Sequence, residues 1–139
     1  MSECTSLSVE QYRSIASFRH QLRLFLAFSE AAAAAVGLPA QQHQALLAIA
    51  GHAGTEPPSI GTLAEQLVVA PHTAAELVGR MVDAGLVTKQ TAFHDRRKQE
   101  LILTERATTL LASLTAAHRK ELVKLHDLAA QAVRSGLRS

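Results

Sequence analysis

The stretch GLVTKQTAFHDRRKQELILT, Gly85 to Thr104, constrains this chain more than any other. A glycine tolerates the left-handed backbone that ends helices, so Gly85 predicts a helix stop. Leu86 to Gln90 and Gln99 to Leu103 have the apolar spacing of short strands. Between them stand His94, Asp95, Arg96, Arg97 and Lys98. Thr104 is then suited to cap a new helix. The order is helix stop, strand, charged tip, strand and helix start. Three adjacent cations on such a tip suit a groove lined by phosphates.

Helical periodicity dominates the remainder. Ser8 with Gln11 fits a capping box and predicts a long first helix. Its apolar positions Ile15, Phe18, Leu22, Phe25 and Leu26 recur at three- and four-residue spacing, and the alanines from 31 to 35 extend it. Gly37 predicts its end, and Pro39 the first position of the next helix. That second helix is expected over 40–50, with Ala45, Leu46 and Ile49 inside. GHAGTEPPS, from 51 to 59, reads as a loop, and Ser59 caps a short helix at 60–67. A tight turn at 68–70 leads to Pro71 and a helix reaching Ala84. After the hairpin comes a last helical region, expected to break once before Ser135. A short helix, a turn, a longer helix and a hairpin together make a winged helix-turn-helix. The fold class expected is mainly α with a two-stranded wing.

Charge is placed more informatively than its total. The chain has 139 residues, one core's worth, and a net charge of only +2. From residue 24 to 79 there is no Lys or Arg, while Glu30, Glu56, Glu65 and Glu76 make that interval acidic. Arg80, Lys89, Arg96, Arg97 and Lys98 follow, against Asp83 and Asp95. Positive charge therefore gathers at the hairpin, as expected of a nucleic-acid contact. At 47% hydrophobic and 19% charged, the composition is that of an ordinary globular chain. With 4% aromatic and no Trp, the core must be mostly Leu, Ala, Val and Ile.

The chain resembles the MarR family of winged-helix transcriptional regulators over roughly residues 15 to 126. GLPAQQHQALLAIAG resembles that family's second helix. IGTLAEQLVVAPHTAAELVGRMVDAGLV resembles its helix-turn-helix and the Gly-Leu-Val behind it. HDRRKQELILT resembles its wing signature, with Asp95 and Arg97 as the Asp-x-Arg and Leu103 and Thr104 closing the strand. The resemblance implies a homodimer within a single domain, 1–139. Residues 8–36 and 105–135 would be interlocking dimerisation helices, and 40–103 the DNA-binding lobe. It also implies a palindromic double-stranded DNA operator, repression of nearby genes, and release by a small aromatic or phenolic effector.

The resemblance also assigns residues. The helix at 71–84 corresponds to the recognition helix, with His72, Thr73, Ala75 and Glu76 facing base edges and Arg80 reaching phosphate. Leu77, Val78 and Met81 are expected in the core. Arg97 corresponds to the wing arginine that enters the minor groove, where a narrow groove's negative potential favours it. Asp95 would hold its guanidinium by a charge-assisted pair. Arg96 and Lys98 would touch phosphates, with Lys89 and His94 nearby. Ala70 at the cap, Ala75 and Gly79 depart from a strong recognition helix. A ligand pocket would draw on Phe18, His20, Arg23 and Leu46.

Other chemistries find little support. His20, His43, His52, His72, His94, His118 and His126 show no HExxH pattern and no Cys partner, so no metal site is expected. There is no Gly-rich phosphate loop, no serine elbow and no close carboxylate pair, so neither enzyme nor cofactor is expected. Cys4 is the only cysteine and cannot form an internal disulfide. A redox-sensing role for it is a minor alternative. The start has no signal-peptide pattern and no run reaches membrane-span length, so a cytoplasmic location is expected. The main alternative is a winged-helix protein-interaction or ligand-binding dimer with weak or lost DNA binding.

Overall fold

The computed structural model describes residues 7–136. In chain order it has α1 (Val9–Ala35), α2 (Ala40–Ala50), α3 (Ile60–Leu67), α4 (Pro71–Asp83), β1 (Val87–Thr91), β2 (Gln99–Leu103) and α5 (Glu105–Gly136). Five helices and one two-stranded antiparallel sheet make a winged helix-turn-helix with long flanking helices. The chain divides into two compact units. Residues 33–115 form one, and the residues before 33 together with those after 115 form the other. Cys4 lies outside the described residues.

The unit of the two long helices begins with the expected capping box. Ser8 N–H donates to Gln11 Oε1 at 2.6 Å, and Gln11 N–H donates to Ser8 Oγ at 3.3 Å. Two of the helix's orphan donors are thereby satisfied. His118 of α5 is buried, with the rings of Phe25 and Phe28 edge-on to it at 5.8 and 5.2 Å between centroids. Ser135 Oγ donates to Ser14 Oγ at 2.7 Å. The expected break before Ser135 is absent, because α5 runs unbroken to Gly136. No Pro or Gly occurs between Glu105 and Ser135, so nothing in the backbone forces a stop.

The second unit is the winged lobe. Gly37, at φ 75°, ends α1, and Leu38 N–H closes back on Ala33 O at 2.9 Å. Pro39 occupies the N-cap of α2, one position before the expected one. Ser59 caps α3 by accepting from Thr62 N–H at 3.2 Å. Val68 then turns the chain at φ 57° and ψ 49°, and α4 starts with Pro71 behind an Ala70 that makes no side-chain cap. Leu46, Leu63, Val78, Met81, Leu86, Val87 and Leu101 are sealed inside. Truncating a Leu of this kind to Ala costs ~2–5 kcal/mol.

Strand β1 starts one residue later than the alternation predicts. Leu86 is buried, and its carbonyl accepts from Thr104 N–H at 3.0 Å. The strands pair from Val87 with Leu103 to Thr91 with Gln99. Leu101 N–H donates to Pro58 O at 2.8 Å, which ties β2 to the loop before α3. Thr104 is a double lock: its hydroxyl donates to Gly85 O at 2.7 Å and accepts from Ala107 N–H at 3.2 Å. One side chain thus ties the end of α4 to the start of α5, and so sets the root of the wing.

Candidate nucleic-acid interface

Helix α4 sorts its residues by period. Ala74, Leu77, Val78 and Met81 are buried, and they fix the helix against the lobe. His72, Thr73, Ala75, Glu76 and Arg80 are all exposed. His72, Ala75 and Glu76 fall on one face at three- and four-residue spacing. Thr73, Glu76 and Arg80 line a shallow cleft of about 110 Å³ with Gln41, Gln44, Leu67, Val69 and Leu77. The residues expected in the core are buried, and the other five are exposed. Before Arg80 this face holds a carboxylate and no Lys or Arg, so Glu76 works against phosphate attraction there.

The hairpin supplies the opposite charge. Its ladder continues past β1, because Ala92 N–H donates to Lys98 O at 2.9 Å. The five residues from 93 to 97 form the tip beyond that bond. Lys98 N–H donates to Asp95 O at 3.0 Å, which tightens the tip into a turn. Asp95 Oδ1 accepts from Arg97 N–H at 3.0 Å and from Arg97 Nε–H at 3.2 Å. The expected Asp95–Arg97 brace is present, with the arginine side chain 93% exposed. The Asp95 carboxyl is held below the ordinary carboxylate range, first by the Arg97 backbone N–H, then by the Arg97 side chain and nearby Lys98. Arg96, Lys98, His94 and Lys89 are exposed. The tip is a hydrogen-bonded turn that carries several cations into open solvent.

One residue of the tip escaped the sequence reading. Phe93 is 93% exposed, and its ring stands edge-to-face with that of His94 at 5.1 Å. An apolar residue in a hairpin is ordinarily assigned to the inner face. No alternation could have flagged it, because β1 buries Val87 and leaves the next four residues exposed. Sequence reasoning also missed the burial of Gln42 and His43 on α2.

The suggested pocket residues lie as follows. Phe18 is half-buried and His20 and Arg23 are exposed, all on α1. Leu46 is sealed at 0% in the lobe core. A larger cleft, of about 310 Å³, lies under the wing and is lined by His52, Glu56, Ser59, Thr62, Lys98 and Glu100 among others. His126 is exposed beside Asp127, at 3.3 Å, whereas His118 is buried. Among the described residues no three His, Cys, Asp or Glu side chains cluster to hold a metal ion. Among them, too, no single helix is long and apolar enough to cross a membrane.

Comparison with known proteins follows the same lines. The sequence model of the MarR family matches residues 36–98. AbsC, a MarR family transcriptional regulator from Streptomyces coelicolor, is similar at a TM-score of 0.68 and 18% identity, over 86% of this chain and 80% of that one. A mutant of S. aureus MepR bound to an oligodeoxyribonucleotide is similar at 0.66 and 15%, over 81% and 80%. CouR from Rhodococcus jostii, bound to p-coumaroyl-CoA, is similar at 0.61 and 21%, over 70% and 67%. At these identities the likeness is one of fold. No curated protein matches the sequence.

Proposed function

We propose that this chain, whose residues 36–98 match the sequence model of the MarR family, is a sequence-specific DNA-binding repressor of that family, released by a small effector. The observation that carries the proposal is the wing tip, where Asp95 braces an exposed Arg97 among further cations. In the proposed complex, the start of α4 enters the major groove with His72, Thr73, Ala75 and Glu76. Arg97 enters the adjacent minor groove, while Arg80, Lys89, Arg96 and Lys98 meet phosphates. His94, at the tip, adds a further donor. The oligonucleotide bound to the MepR mutant supports the DNA partner.

The active form we propose is a cytoplasmic homodimer on a palindromic operator. Leu24, Leu26 and Phe28 of α1, and Leu122, Val123 and Val133 of α5, are large apolar residues left exposed. Their exposure on both long helices supports a surface there that a second chain covers. The p-coumaroyl-CoA bound to CouR supports an aromatic or phenolic effector. His20 and Arg23 are the exposed polar residues of α1 from which to begin a search for its contacts.

A second reading has one observation in its favour. Glu76 on the recognition face repels a polyanion, as a protein-interaction module without DNA binding would tolerate. Fluorescence anisotropy separates the two, with duplex DNA from upstream of the chain's own gene, titrated at several salt concentrations. A DNA regulator loses affinity steeply as salt rises. Flat, micromolar-or-weaker binding at every salt would sink the regulator reading. Light scattering tests the dimer, and a monomer at micromolar concentration would refute it.

A further inference from the structure

We propose that Phe93 is a DNA-contacting wedge that enters the minor groove beside Arg97 and partly unstacks the base step it meets. The inference rests on the wing reading given above, and it adds a contact of different chemistry. Phe93 is the most exposed large apolar side chain among the described residues. Phe93 follows the Ala92–Lys98 bond directly, and Arg97 precedes it on the other arm. The two stand on opposite arms of a five-residue tip. The backbone beneath them is fixed by the Ala92 N–H bond to Lys98 O and the Lys98 N–H bond to Asp95 O.

The surroundings of the ring select its occupant. An apolar protein groove would have to desolvate Arg96, Arg97 and Lys98 to reach Phe93 while offering them no counter-charge, and burying an unpaired charge is costly. A duplex presents phosphates to those cations and stacked bases to the ring. Aromatic and aliphatic side chains inserted at a base step unstack it and kink the duplex. The His94 ring stands edge-to-face against Phe93 at 5.1 Å, which limits the positions the phenyl ring adopts before binding.

Removal of the ring takes away contact area and leaves every cation in place. This separates Phe93 from Arg97 experimentally. The probe is the duplex from upstream of the chain's own gene, with 2-aminopurine substituted in turn across the bound segment. With wild-type protein, 2-aminopurine at one step in each half-site should brighten on binding, as an unstacked base does. Phe93→Ala should abolish that rise and weaken binding about tenfold. Its slope of log affinity against log salt should equal the wild-type slope, since no phosphate contact is lost. Phe93→Leu, which keeps an apolar wedge, should retain most of the signal. Because the residue is exposed, circular dichroism should show all variants folded alike. Equal affinity and equal fluorescence for Phe93→Ala and wild type would overturn the wedge and leave the regulator reading standing. A Phe93→Ala that loses binding to phosphatidylglycerol vesicles and keeps its DNA affinity would overturn it in favour of a membrane contact. A wild-type protein that binds no duplex would overturn both readings together.

Discussion

Asp95 Oδ1 accepts two hydrogen bonds from a single residue, from the backbone N–H of Arg97 at 3.0 Å and from its Nε–H at 3.2 Å. The carboxylate therefore fixes both the turn and the first part of the guanidinium. The outer nitrogens are left to face solvent, on a side chain 93% exposed. Arg97→Ala should weaken duplex binding tenfold or more, and lower the magnitude of the salt slope by about one for each wing that engages. Asp95→Ala removes a negative charge from the tip, so simple electrostatics predicts tighter binding. The brace predicts the reverse, a loss of a few-fold with the salt slope kept. Anisotropy at two salt concentrations decides between them, and a gain in affinity would show that the brace is dispensable.

The same two bonds set a pH dependence. The folded Asp95 carboxyl lies below its ordinary value, because the Arg97 backbone N–H, and then its side chain, favour the charged form. A depressed carboxylate contributes stability that is fully present above the unfolded value and is lost as pH falls through the folded one. The unfolded value is about 3.9, so the brace is intact at neutral pH and weakens only in strong acid. Carboxyl carbon chemical shifts should place the Asp95 midpoint below that of an Asp in a short unstructured peptide. In Arg97→Ala the midpoint should rise only part of the way, since the backbone N–H remains. An Asp95 midpoint equal to the peptide value in the wild type would contradict the geometry.

The element order was legible because this chain punctuates itself. Ser8, Gly37, Ser59, Pro71, Gly85 and Thr104 each act through local backbone chemistry, and each marks a boundary to within two residues. The wing brace was legible for the same reason, since Asp95 and Arg97 are two residues apart. Properties set by tertiary surroundings were harder to see. Whether α5 breaks near its end depends on packing as much as on propensity, and a run of leucines and alanines is compatible with either outcome. His43 and Gln42 look like surface residues by composition, yet α2 turns them inward beside Ala45 and Leu46. Phe93 looks like core by composition, yet the tip carries it beyond anything that could cover it.

Val68 offers a test of stored strain. It turns the chain between α3 and α4 in the left-handed region, at φ 57° and ψ 49°. For a β-branched residue that conformation crowds Cβ against the following carbonyl, at a cost of ~1–2 kcal/mol. No packing offsets it, because the side chain is 89% exposed. Glycine adopts the same angles without that crowding, though it loses more entropy on folding. Val68→Gly should therefore raise stability by ~0.5–1 kcal/mol, seen as a higher urea midpoint at unchanged slope. A lower midpoint would mean that the unfolded-state entropy of glycine outweighs the relieved strain.

Gly79 makes the complementary case inside α4. It is a helix-interior glycine, and a Cβ built there meets nothing within 4 Å. Alanine at such a position stabilises a helix by ~1 kcal/mol, because glycine has more backbone freedom to lose. Gly79→Ala should raise the urea midpoint accordingly, and additively with Val68→Gly, since the two act on separate backbone segments. Gly79 also lies three residues after Glu76 and seven after His72, on the face proposed to enter the major groove. Stability measured without DNA and affinity measured with it therefore report different things. If the groove-facing assignment holds, the added methyl should stabilise the free protein and weaken duplex binding by a few-fold. Equal gains in stability and affinity would place that face away from the DNA.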